Sequence, residues 1–175
     1  MDYQLDKSTS IIKWIGYQQS GQHFGTVQFK QGKIRMTEGL IIGGYVQVDL
    51  ATLKVTDPKL TADKQDEMES DLKSEKFFSV SGHPSAMFEI NDVKTSNGHT
   101  THVVNGDITI KGIKHQMNIP VNLIVSNNKV ELKTKFNIIR THFGIDYMIG
   151  EEYGEKKVLP EFEVDVHLVA ADLNH

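Results

Sequence analysis

Few side chains in this sequence are placed to do chemistry, and they are scattered. His23 and Arg140 have the types that suit a polar ligand group. An imidazole offers a donor and an acceptor, and a guanidinium presents a planar fork of donors to a phosphate or carbonyl oxygen. Neither belongs to a catalytic pattern. Ser70-Asp71-Leu72-Lys73 satisfies S-x-x-K, but S-D-N, K-T-G and G-x-S-x-G are all missing, and so is a glycine-rich phosphate loop. Eight histidines invite a metal hypothesis. His99 and His102, however, flank a probable turn, and neither H-E-x-x-H nor a carboxylate set at ligand spacing occurs. With no cysteine, thiolate nucleophiles, thiolate metal sites and disulfides are excluded. Asp66, Glu67, Glu69 and Asp71 read as the solvated face of a helix. The expectation is no catalytic residue, no metal and no cofactor in the usual sense.

The elements that must position His23 and Arg140 are strands. Ile11 to Tyr17 reads as a first strand, followed by a turn at Ser20-Gly21-Gln22-His23. Val27 and Phe29 begin a second, ended by Gln31-Gly32; Ile34 and Met36 lie on a third, turned at Glu38-Gly39. Gly44, Val46, Val48 and Leu50 share one face of a fourth, and Gly43-Gly44 suggests a bend or bulge. Asp57 to Ala62 connects to a short helix over 63–74, capped by Thr61 or Asp63. Strands then follow over 86–93, 104–110, 117–125, 130–138 and 158–168, with turn signals at Asn97-Gly98, Lys111-Gly112 and Asn127-Asn128. Each alternates at period two, as in Val130, Leu132, Thr134, Phe136 and Ile138 against Glu131, Lys133, Lys135 and Asn137.

One helix cannot cover so many apolar strand faces, and closing the sheet on itself hides them. The predicted fold is therefore all-β: an antiparallel up-and-down, lipocalin-like barrel of about eight strands, with one short inserted helix. It is a single domain over 1–175. The inward apolar positions are Trp14, Phe29, Val46, Val48, Leu50, Phe88, Ile90, Ile108, Ile119, Val121, Phe136, Phe162 and Val164. Pattern alone leaves two readings of them, a packed core or the lining of a cavity. The adjacent pair Phe77-Phe78 is read as a lid over such a cavity or an anchor of the helix to the barrel.

Hydrophobic residues make up 38% of the chain and the net charge is −4, with no dense Lys/Arg run, so nothing favours nucleic acid. No apolar run approaches the roughly 20 residues of a spanning helix. The first residues, M-D-Y-Q-L-D-K-S-T-S, show no basic or apolar signal region. As written the chain is expected in the cytoplasm, or in the periplasm if an export signal has been removed.

Three blocks carry a resemblance. Leu72-Lys73-Ser74 with Phe77-Phe78, Pro84 and Phe88 is the first. Val104-Asn105-Gly106-Asp107-Ile108-Thr109-Ile110-Lys111-Gly112-Ile113 resembles a G-D-L-T-I-x-G hairpin, and Arg140-Thr141-His142-Phe143-Gly144-Ile145 an R-x-x-F-G-I segment. In this order and spacing they resemble the YceI-like family of lipid- and polyisoprenoid-binding proteins. Ile139 and His142 depart from the family pattern beside the arginine. The resemblance implies an elongated apolar cavity lined by the positions named above, with His23 and Arg140 near a polar head group and Phe77 and Phe78 at the mouth. It implies a small apolar ligand, an isoprenoid quinone, polyprenyl lipid or fatty amide, bound and not transformed, and it is compatible with a homodimer. The competing expectations are an enzyme acting on an apolar substrate and a solid-core interaction protein.

Overall fold

The computed structural model describes residues 1–172. Its elements are β1 (Asp2–Leu5), β2 (Ile11–Gln18), β3 (Gly21–Thr37), β4 (Leu40–Val55), α1 (Ala62–Lys73), β5 (Ser85–Thr95), β6 (His102–Ile110), β7 (Ile113–Ser126), β8 (Lys129–Ile139) and β9 (Val158–Ala171). Two 3₁₀ turns, Arg140–Phe143 and Glu151–Lys156, lie between β8 and β9. All pairings are antiparallel, in the order β3-β2-β9-β8-β7-β6-β5-β4, and β4 returns to β3. Eight strands therefore close the ring, and β1 bridges β3 and β9 at one end.

Alternation decides which way the faces point. Val130, Leu132 and Ile138 are buried while Lys133, Lys135 and Asn137 stand exposed outside. Apolar faces thus look inward and charged faces outward. Among the described residues no helix is long and apolar enough to cross a membrane.

The expected break at Gln31-Gly32 is not a turn. β3 runs unbroken for 17 residues, with its register against β4 shifting between Phe29 and Gln31. A bulge inserts one residue and flips the inward phase, so Val27 and Phe29 (odd) give way to Ile34 and Met36 (even). A second shift, beyond Asp49, leaves three extra residues on β4, which also flips its phase and brings Leu53 inward after Leu50. Asp49 and Thr52 build it: the Ala51 amide donates to Asp49 Oδ1 (3.2 Å), and Thr52 Oγ1 donates to the Asp49 carbonyl (2.6 Å). The expected turn at Ser20–His23 is shorter than predicted: Gly21 to His23 already belong to β3, and His23 pairs with Gly16.

α1 lies at the end of the barrel opposite β1. Thr61 is its N-cap, accepting from the Lys64 amide at 3.3 Å. None of its residues is fully buried. It is held by Gln65, which donates to the Asp57 carbonyl (2.8 Å), and by Glu69, which accepts from the Val55 amide (3.3 Å).

Candidate functional site

The barrel is hollow. A cavity of about 240 Å³, walled almost wholly by apolar atoms, occupies the lumen towards the α1 end. The β2–β3 wall supplies Trp14 and Phe29, and β4 supplies Val46, Val48 and Leu50. Phe88 and Ile90 come from β5, Ile108 from β6, Ile119 and Val121 from β7, Phe136 from β8, and Phe162 and Val164 from β9. Phe77, Phe78 and Arg140 complete the set from the connections. The lining also draws on Leu132, Thr134 and Ile138, which share Phe136's face of β8, and on Leu53, whose phase the β4 bulge conceals in the sequence.

Two glycines explain why large aromatic rings do not fill the space. A Cβ on Gly25 would sit 1.8 Å from the Lys54 carbonyl oxygen and 2.5 Å from the Trp14 ring, and one on Gly106 would sit 2.3 Å from Phe88 and 2.5 Å from the Glu89 carbonyl oxygen. Each ring lies over a glycine of the adjacent strand, where a side chain would collide with both the ring and a neighbouring main-chain carbonyl. Trp14 Nε1 also donates to the Thr26 carbonyl at 3.1 Å, which fixes the indole.

Phe77 and Phe78, the residues expected at the mouth, lie at the α1 end. Phe77 is buried and packs edge-to-face on Tyr147, with ring centroids 5.5 Å apart; Phe78 is half-buried and packs edge-to-face on Phe162 at 5.9 Å. Both rings therefore anchor the segment after α1 and form part of the cavity roof.

Arg140 is 3% exposed and contributes to the same lining. Its guanidinium is bound by main chain: Nε donates to the Leu159 carbonyl (3.1 Å), Nη1 to Ile145 (3.0 Å) and Nη2 to Val158 (2.9 Å). Its central carbon lies 5.7 Å from the centroid of the Phe77 ring. Burial pulls its pKa down, opposed by the charge of Asp146. These bonds engage all three guanidinium nitrogens with main-chain carbonyls. The expectation of a head-group residue left this clamp unseen, because carbonyl acceptors have no signature in sequence.

His23 is elsewhere. It does not line the cavity; its Nδ1 is 2.9 Å from Oδ2 of Asp57, a fully buried carboxylate. Asp57 also accepts from the Lys59 amide at 3.0 Å. The His23 bond first, then the Lys59 amide, hold the Asp57 carboxyl below the usual carboxylate range. This pair staples β3 to the start of the connection that leads into α1. Its two partners are 34 residues apart, so only the fold reveals it. Among the described residues no three His, Asp or Glu side chains are grouped to hold a metal. His99 lies in the β5–β6 loop, and His102 opens β6.

A closed antiparallel barrel, hollow and apolar within and roofed by a helix-led loop, defines the architecture of a lipocalin-like barrel. The chain belongs to the YceI-like family, whose YceI-like domain matches residues 3–170. Among solved structures it is similar to BcnA of Burkholderia cenocepacia, with 19% identity, 95% of this chain and 99% of that one covered, and a TM-score of 0.76. It is also similar to a polyisoprenoid-binding domain from Saccharophagus degradans implicated in plant cell wall breakdown (14% identity, 97% of each chain, TM-score 0.71). A third is the YCEI protein of Campylobacter jejuni (12% identity, 82% of each chain, TM-score 0.58). At these identities the likeness is one of fold. No curated protein is significantly similar to the chain.

Proposed function

We infer that this barrel holds a long apolar lipid, an isoprenoid quinone, polyprenyl lipid or fatty amide, with its tail in the lumen. The observation that carries this reading is the hollow interior: about 240 Å³ walled by apolar side chains, with one buried guanidinium at its margin. An apolar cavity of even about 150 Å³ stays dry and takes apolar guests. Each buried CH₂ contributes roughly 0.8 kcal/mol gross, so a five-carbon isoprene unit gives about 3–4 kcal/mol. Lost ligand freedom offsets part of that. The Arg140 guanidinium at that margin suits an acceptor at the ligand's polar end, such as a quinone or amide carbonyl. The polyisoprenoid-binding domain among the structural neighbours supports the same ligand class.

Holding the lipid requires no bond to be made or broken. The test is organic extraction of the purified protein followed by mass spectrometry, with titration of the extracted protein by quinones and fatty amides. Recovery of a long-chain lipid and its rebinding unchanged in mass is the expected result. A clean extract together with no binding of added lipid refutes the reading, and a changed mass favours an enzyme.

A further inference from the structure

The barrel wall is not uniformly stitched. β7 is paired with β6 along its whole mouth-side half, from Ile113 to Val121, and β8 with β9 from Lys129 to Ile139. Between β7 and β8, however, pairing stops at Asn122↔Lys133. From there towards the mouth, residues 113–121 and 134–139 run side by side with no main-chain ladder between them.

Pro120 accounts for where the ladder ends. The Leu123 amide donates to Thr101 Oγ1, on the β6 side. Amide direction alternates along a strand, so even-numbered amides of β7 face β8, and Pro120 has none to offer. Thr134 Oγ1 donates instead to the Pro120 carbonyl at 2.7 Å, a single side-chain tie at the bottom of the gap. Above it a crevice of about 220 Å³ opens on the outer face, lined by Gln116, Asn118, Asn137 and Ile139. His115 and His142 stack across its mouth-side end with ring centroids 4.4 Å apart. On the inner face of the same two stretches stand Ile119, Val121, Phe136 and Ile138, which line the cavity. Side chains alone separate the crevice from the lumen.

Compare the other ways in. The roof is held to the rest of the chain by the Phe77 and Phe78 ring contacts, by the Val55 amide donating to Glu69 and by Lys111 Nζ donating to the Glu75 carbonyl, and the segment packed against Phe77 is braced by the three Arg140 bonds. At the β1 end Leu40–Gly43 also part from Asn91–Thr95, but the inward side chains there, Ile41 and Val93, do not reach the cavity, and residues 51–55 at the end of β4, unpaired with β5, are covered by α1. Spreading β7 from β8 and the turn after it breaks one side-chain hydrogen bond and the ring contacts of His115 with His142 and Phe143, and no ladder bond.

We propose that the β7–β8 seam is the lateral route by which the apolar ligand enters and leaves the cavity, closed at rest by Thr134–Pro120 below and His115–His142 above. The proposal rests on the lipid-holding reading of the cavity. Because the chain has no cysteine, the seam can be bridged selectively. Asn118 and Asn137 would face each other if the register of Asn122↔Lys133 continued, and both are exposed. Asn118→Cys/Asn137→Cys, oxidised or joined by a short bis-maleimide, is compared with its unbridged form by stopped-flow fluorescence of parinaric acid. Bridging is expected to slow uptake and release together, roughly tenfold or more, with the equilibrium affinity kept. His142→Ala, which removes the stack without touching the cavity lining, is expected to speed both. Equal rates with and without the bridge overturn the route while leaving the cavity reading intact. If the cysteine pair does not fold, an unchanged rate in His142→Ala overturns it. Absence of parinaric acid and quinone binding in the unaltered protein overturns both.

Discussion

Replacing Arg140 by methionine separates a structural clamp from a ligand contact. The substitution keeps a long, flexible, apolar stem and removes every donor. Three carbonyls then lose their partner. Val158 and Leu159 are only partly buried, so water can reach their oxygens. Ile145 is 1% exposed, and its carbonyl carries the full penalty of an unsatisfied buried group, about 1–3 kcal/mol. The two half-wet carbonyls add about 0.5–1 kcal/mol each as ordinary lost bonds. The guanidinium's own desolvation, relieved in the variant, subtracts from the total. The expected loss is about 3 kcal/mol, or roughly 6–12 °C in Tm for a chain of this length. Urea unfolding of the lipid-extracted protein, monitored by tryptophan fluorescence, measures it without interference from bound ligand. Arg140→Lys should lose nearly as much, since one ammonium cannot span three carbonyls set in a fork. A loss below about 1 kcal/mol in Arg140→Met would refute the clamp. If affinity for a quinone nonetheless fell in that variant, the arginine would serve the ligand alone.

Val121→Trp and Val48→Trp, both on cavity walls, should abolish lipid binding while costing at most about 1–3 kcal/mol of stability, because the added ring has a void to occupy; normal folding with undiminished binding would remove those faces from the site. Gly106→Ala should displace Phe88 into the lumen and weaken binding, and a structure of the variant with the ring unmoved would show the glycine argument to be wrong. The Asp57 carboxyl is held below its ordinary value of 3.8, so its contribution to stability is complete above that value and disappears as pH falls through the lowered one. The stability gap between the unaltered protein and Asp57→Asn should therefore narrow on acidification, as followed by urea titrations at a series of pH values; a gap that widens instead contradicts the assignment.

Period-two alternation exposed the barrel because nearly every strand has one wet face, which a solvated exterior imposes. It located strand interiors better than strand ends. Gln31-Gly32 looks like a turn because turns and bulges draw on the same residues, and both interrupt the phase of Val27 and Phe29 before Ile34 and Met36. β1 went unread because four residues carry too short an alternation to stand out. The cavity lining was legible as a set of same-face residues, yet hollow and packed barrels share that pattern. What opens the lumen is a pair of cross-strand relations, Trp14 over Gly25 and Phe88 over Gly106, that no local window contains. Arg140 was conspicuous by type, but its partners are main-chain atoms of residues 5 to 19 positions away. His23 was assigned to the ligand because its true partner, Asp57, meets it only once β3 and the connection after β4 come together.

The two ring-over-glycine pairs have a consequence for how such barrels diversify. They lie on the β2–β3 and β5–β6 walls, on either side of β4, and both bear on the calibre of the ring. A small side chain at Gly106 would narrow the bore by way of Phe88, with every other lumen-facing residue retained. Relatives that share those residues can thus differ in the girth of molecule they admit, through changes at positions that touch no ligand.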